Sequence, residues 1–212
     1  MSRADAKRPT LWIIAGPNGS GKSSAYGMSA VDEPLGAVWI INPDLLAKRI
    51  GEQEGLAAWP ANLEAVRRIE AWLYASVEAH HTVGVETVLS TGKYRALVDQ
   101  AHARGFAVKL IYVYLEDVEI NIERVATRVE KGGHSVPEDR IRERRAKSLV
   151  QLSWFLGAAD FAEIYDNSGA RPRLVFSKSP DERTAYGRMI PEIVQAIDQS
   201  SPGFVDDYRN AF

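Results

Sequence analysis

The chain has 212 residues, 45% of them hydrophobic and 25% charged, which suits one soluble α/β domain with a sizeable core. A formal net charge of −2 gives no basic field to recruit nucleic acid, and the lack of cysteine removes disulfides, thiolate metal sites and a cysteine nucleophile. No apolar run reaches membrane-spanning length and the N-terminus has no apolar signal-peptide centre, so the cytoplasm is the expected location, with no membrane partner.

Residues 1–9 read as a loose polar tail, residues 10–200 as a single domain and residues 201–212 as a second tail. Thr10 to Ala15 (TLWIIA) is a short apolar run that predicts a buried strand. It leads into Gly16-Pro17-Asn18-Gly19-Ser20-Gly21-Lys22-Ser23, which fills every fixed position of GxxxxGK[ST], with Ser24 next and a helix to about Ser29. Asp32-Glu33-Pro34 marks a loop, and Ala37 to Ile41 predicts a second strand that ends at Asn42-Pro43-Asp44. Asp44 is expected to open a helix to about Ile50. After a connector, residues 61–80 predict a helix with Leu63, Val66, Leu73 and Val77 on its inner stripe and Glu64 paired with Arg68 outside. Val83-Gly84-Val85 begins a third strand with Glu86 and Thr87 at its end, and Ser90 or Thr91 would cap a helix that Gly105 terminates.

Phe106 to Leu115 is the clearest strand, rich in β-branched and aromatic residues. Asp117 caps a helix with Val118, Ile122, Val125 and Val129 on one face and Asn121, Arg124 and Arg128 on another. Gly132-Gly133 ends it. Ser135-Val136-Pro137-Glu138 reads as a capping box for the next helix, which turns Ile141, Leu149, Leu152 and Leu156 inward and Arg140, Arg144 and Lys147 outward. Two late strands, 161–166 and 173–176, flank an Asn167-Ser168-Gly169 turn, and a last helix covers about 182–198. This alternation predicts an α/β P-loop NTPase or kinase fold: a central, mainly parallel sheet flanked by helices, with a helical lid at about 117–147.

The chemistry follows from the loop. Glycines let the backbone wrap a phosphate chain with its N–H groups inward, and the following helix N-terminus adds positive potential. Gly16, Pro17, Asn18, Gly19, Ser20, Gly21, Lys22, Ser23 and Ser24 are therefore the candidate ATP site, with Lys22 on the β- and γ-phosphates and the Ser23 hydroxyl on Mg²⁺. In open α/β sheets ligands bind beyond the carboxyl ends of strands, where Lys22, Asp44, Glu86 and Glu116 all fall. Phosphoryl transfer needs a carboxylate to take the acceptor's proton. Asp44 suits that task, and it equally suits capping the next helix. Arginines neutralise the equatorial phosphate oxygens. Among Arg124, Arg128, Arg140, Arg142, Arg144 and Arg145, the pair Arg128 and Arg144 is favoured for that role, and the others read as solvated faces paired with Glu130, Glu138 and Glu143. His134, in the hinge, is a candidate for contact with phosphate or substrate.

The runs GPNGSGKSS, INPD, VETVLST and RVATRVEKGGHSVPEDRIRERRAKSL resemble the zeta toxin family of P-loop kinases over about residues 10–178, and the GGHSVPEDRIRER lid resembles its compact stand-alone bacterial branch. The resemblance implies an ATP- and Mg²⁺-dependent kinase of a sugar hydroxyl of UDP-N-acetylglucosamine, with a small antitoxin as partner. It implies the base at Asp44, a substrate-binding carboxylate at Glu86, and γ-phosphate arginines at Arg128 and at Arg142 or Arg144. The family pattern has Thr where this chain has Val88, so Thr87 or Thr91 would substitute in sugar recognition. Asn167 would lie beside adenine, as comparable turns do in nucleotide kinases, or form an ordinary hairpin turn. Two alternatives stay open: a kinase of another nucleotide, nucleoside or antibiotic hydroxyl, and a nucleotide-gated ATPase or binding protein.

Overall fold

The computed structural model describes residues 8–22, 40–133 and 135–211, without the side chains of Ile40, Asp44, Asp207, Asn210 and Ala211. In chain order the described elements are β1 (Thr10–Ala15), β2 (Ile40–Ile41), α1 (Pro43–Glu54), α2 (Ala58–Glu78), β3 (Val83–Thr87), α3 (Arg95–Ala103) and β4 (Ala107–Tyr114). They continue with α4 (Val118–Glu130), α5 (Glu138–Ala158), β5 (Phe161–Asp166), β6 (Arg173–Lys178), β7 (Arg183–Ala185), α6 (Pro191–Ser200) and α7 (Phe204–Ala211). The sheet runs β2-β3-β1-β4-β5-β6-β7. The first five strands are parallel and the last two antiparallel. The α/β P-loop kinase architecture expected from the sequence is the one observed.

The strand order decides where a ligand can sit. From β1 the chain leaves toward β3 and β2 on one side and returns to β4 and β5 on the other, so a crevice opens at the carboxyl end of β1. β1 itself is buried throughout, as a central parallel strand covered on both faces must be. Leu11 and Ile13 point into the larger core with Ile69, Leu73, Leu97, Leu152, Phe155 and Ile193, while Trp12 and Ile14 join Ile111, Val113 and Tyr165 on the opposite face. Each such fully buried aliphatic side chain contributes on the order of 1.5–3 kcal/mol, so β1 anchors the loop that follows it.

Several local expectations needed correction. The inner stripe of α2 is Ala61, Ala65, Ile69, Leu73, Ser76 and Val77, and Leu63 is 57% exposed. The small residues face inward because α1 packs there, with Ala47 and Ile50 meeting Ala61 and Ala65. The Glu64–Arg68 pair forms at 2.6 Å. Ser90 and Thr91 do not cap α3, which begins at Arg95 after Tyr94. Asp117 caps α4 through its Oδ1, which accepts from the Glu119 N–H at 2.9 Å. The Ser135 capping box does not form: Pro137 holds the N-cap position of α5 with no side-chain cap, leaving Glu138 and Asp139 in the first turn. The last helix starts at Pro191, since residues 183–185 add an edge strand, and α7 occupies what reads as tail.

Candidate active site

The loop after β1 is held in a conformation that only glycine tolerates at three points. Gly16, Gly19 and Gly21 have φ of 147°, 74° and 81°. A β-carbon would lie 2.1 Å from the Val113 carbonyl oxygen at Gly16, 2.4 Å from the Asn121 carbonyl oxygen at Gly19, and 2.2 Å from Asn167 Nδ2 at Gly21. The loop is therefore pressed against β4, α4 and the turn after β5, and Lys22 itself has helical backbone. Cross-links fix it further. The Gly16 N–H donates to Thr87 O at 3.2 Å, Asn121 Nδ2 to Asn18 O at 2.6 Å, and Asn167 Nδ2 to Ser20 O at 2.8 Å. Asn18 Oδ1, Ser20 Oγ and Asn121 Oδ1 are buried at this loop with no hydrogen-bond partner among the described residues. Such groups are costly unless a ligand or water satisfies them. A Cβ-free cradle with unsatisfied polar atoms at a helix start fits a phosphate chain.

Lys22 is buried, and its Nζ donates to Gly16 O at 2.9 Å and to Pro17 O at 3.3 Å. Glu86, at the end of β3, brings its Oε1 within 3.8 Å of that ammonium. Asn42 Nδ2 donates to Glu86 Oε2 at 3.0 Å, and Asn42 Oδ1 accepts from the Leu45 N–H at 3.3 Å. Asn42 thus caps α1, and the helix opens at Pro43 rather than at Asp44, which lies in its first turn. The Asp44 side chain, Ser23, Ser24 and His134 lie outside the described set. Thr87 uses its Oγ1 locally, accepting from the Leu89 N–H at 3.1 Å where Leu89 takes a φ of 59°, and Thr91 is exposed.

On the other wall, Asp166 accepts from the Ser168 N–H at 2.9 Å and from Arg173 Nη2 at 3.0 Å, shaping the turn that presents Asn167. The turn is therefore a β5–β6 hairpin connection and also a clamp on the P-loop. Arg124 Nη2 donates to Asn167 O at 2.9 Å, and its Nη1 is 3.6 Å from the position of a Gly21 β-carbon. Asn121 and Arg124 are the site residues that sequence reasoning passed over. Their signal was present, an i,i+3 polar pair on the helix following β4, but it read as part of a solvated face. Beneath them, burial pushes the Tyr114 phenol up, with the Asp166 and Glu116 carboxylates adding to it, so it remains neutral.

The remaining lid arginines are spread outward. Arg128 is exposed in the last turn of α4, its stem against Gly133. Arg142 pairs with Glu119 at 2.7 Å, which holds its guanidinium further above the usual range, and Arg144 is exposed. Arg145 turns inward instead, donating to Leu115 O at 3.2 Å and Glu116 O at 3.1 Å. Lys147 and Arg140 hold the Glu143 carboxyl down at about 2. Among the described contacts, none of Arg142, Arg144 and Arg145 touches the P-loop.

A family model described as zeta toxin matches residues 2–171. The chain belongs to the zeta toxin family. An uncharacterized protein of Haemophilus influenzae is 30% identical over 146 residues, 65% of this zeta toxin family chain and 98% of its own. Among solved structures, the AvrRxo1-ORF1:-ORF2 complex with ATP superposes with a TM-score of 0.65 at 17% identity, over 85% of this chain and 61% of that one. The PezAT toxin–antitoxin system of Streptococcus pneumoniae gives 0.65 at 15% identity, over 95% and 88%. At these identities the structures share the fold. Family and fold together support an ATP-dependent kinase. Among the described residues no helix is long and apolar enough to cross a membrane.

Proposed function

We propose that this zeta toxin family protein transfers the γ-phosphoryl group of ATP to a sugar hydroxyl of a nucleotide sugar, UDP-N-acetylglucosamine. The observation that carries the reading is the cradle: three glycines without room for a side chain, opening at Lys22 toward Glu86 and α1. The inward N–H groups would wrap the phosphates, and Lys22 would exchange its Gly16 and Pro17 carbonyl partners for phosphate oxygens. Arg124 would meet the nucleotide from the Asn167 side. Asn167, whose amide is spent on the P-loop, would border the adenine through the turn it belongs to.

In the transfer, the acceptor oxygen bonds to the γ-phosphorus as the bond to the ADP oxygen breaks, and the acceptor's proton passes to Asp44. Glu86, with Thr87 and Thr91 near the same strand end, would orient the sugar. Closure of the lid over residues 117–147 would bring Arg128, and Arg142 or Arg144, onto the γ-phosphate and exclude water, with His134 at the hinge. Mg²⁺ would neutralise charge on the phosphates, held by them and by Ser23. Kinship to a toxin–antitoxin system supports a small antitoxin protein as partner.

The test is product analysis. Purified protein with ATP, Mg²⁺ and UDP-N-acetylglucosamine should yield the sugar nucleotide heavier by one phosphate. ADP formed together with another phosphorylated acceptor would replace the sugar nucleotide. ADP formed with free phosphate alone would replace the kinase by an ATPase.

A further inference from the structure

Two of the hydrogen bonds of Asn42 have partners with different tasks. Its amide nitrogen donates to Glu86 at 3.0 Å, and its amide oxygen caps α1 through the Leu45 N–H at 3.3 Å. The same Glu86 carboxylate reaches Lys22 of the P-loop at 3.8 Å with its other oxygen. Glu86 is 14% exposed and Lys22 9%, so the Glu86 carboxylate meets the ammonium and the amide largely away from bulk water, where a charge-assisted hydrogen bond is stronger, while the cap on Leu45 is exposed. A primary amide can donate to a carboxylate with its nitrogen while accepting from a helix N–H with its oxygen. A cap alone is met as well by serine or aspartate.

We infer that Asn42 is a positioning residue that locks the Glu86 carboxylate and the first turn of α1 in one register with Lys22, so that the acceptor-side groups and the triphosphate are aligned before the acceptor arrives. This rests on the proposed transfer to a hydroxyl acceptor. A carboxylate without this amide keeps Lys22 beside it, and ATP still binds there, but it is less fixed in orientation and holds the acceptor less precisely, and misplacement of reacting groups by an ångström is costly to rate. Asn42 touches neither nucleotide nor acceptor in this scheme. It acts through Glu86 and through α1, which carries Asp44.

Two variants that both keep a cap separate this role from helix stability. Asn42→Ser shortens the side chain and draws its donor back from Glu86, and Asn42→Asp sets a carboxylate against it. Asn42→Ser should unfold at the wild-type temperature and bind ATP with wild-type affinity, whereas Asn42→Asp, with two carboxylates facing each other in a part-buried site, should unfold at a lower temperature. Acceptor kcat/KM should fall about tenfold in Asn42→Ser, the weight of one hydrogen bond to a charged group, and about a hundredfold in Asn42→Asp, where attraction becomes repulsion. Turnover within twofold of wild type in both variants overturns the inference, as does a loss in Asn42→Ser that simply follows a lower melting temperature or weaker ATP binding. Crystal structures of the variants keep the two proposals distinguishable. If wild type phosphorylates no acceptor, the kinase reading fails. The positioning role then stands if the Glu86 carboxylate is displaced in Asn42→Ser and falls if it is unmoved.

Discussion

Replacing Gly19 with alanine tests whether the P-loop is a cradle shaped by its neighbours or a flexible turn that adapts. Two penalties act on the new methyl. The first is conformational, because φ is 74° and L-residues with a β-carbon resist that region by about 1–2 kcal/mol. The second is steric, because the β-carbon would lie 2.4 Å from the Asn121 carbonyl oxygen and 3.2 Å from its Cα, backbone atoms of α4 that no rotamer change can move aside. Overpacking of that kind adds roughly 1–3 kcal/mol. Gly105→Ala supplies the control, since its φ is 77° and nothing lies within 4 Å of its β-carbon position. Urea unfolding should therefore show Gly105→Ala destabilised by the strain term alone, about 1–2 kcal/mol, and Gly19→Ala by about 2–5 kcal/mol. ATP titration should show unchanged affinity in Gly105→Ala and a loss of at least about tenfold in Gly19→Ala, because shifting α4 also breaks the Asn121 bond to Asn18 O. Equal stability of the two variants with equal ATP affinity would refute the reasoning.

Three further expectations follow from particular contacts. Asp117→Ala, which removes a formed cap, should cost about 1 kcal/mol in chemical denaturation, whereas Ser135→Ala, at a capping box that does not form, should stay within about 0.5 kcal/mol. Arg124→Met should weaken ATP binding by about tenfold while barely moving the urea midpoint, and wild-type affinity would confine Arg124 to holding the Asn167 turn. Glu143 is held at about 2 against an ordinary 4.5, so its pairing favours the folded state above pH 4.5 and the benefit is lost as pH falls toward 2. Because the pairs are exposed, a carboxyl titration followed by NMR should show that midpoint moving back toward 4.5 at about 1 M salt.

The sheet and the P-loop were legible because each rests on local chemistry. Thr10–Ala15 is a short apolar run that reads as a buried strand, and the loop after it fills every fixed position of GxxxxGK[ST]. What escaped depended on partners distant in sequence. Leu63 looked like the inner stripe of α2 until α1 packed on the small side chains of Ala61 and Ala65. Asn42 capped α1, so Asp44 was not required for it. Arg124 read as surface and Asn121 drew no role because their partners, the Asn167 turn and Asn18, come from the segments after β5 and β1. β7 was missed because a three-residue edge strand carries little pattern of its own, and α7 because two turns of helix after Pro202-Gly203 are short, although Phe204 and Tyr208 share its inner face.

The most direct test of the central claim is acceptor-dependent ADP release in Asp44→Asn, measured beside ATP affinity. The account predicts wild-type ATP binding with acceptor-dependent turnover reduced at least about a hundredfold, the contribution of a positioned general base. Asp44→Asn turning over the acceptor at the wild-type rate would contradict it, and would move the proton-accepting group away from the first turn of α1.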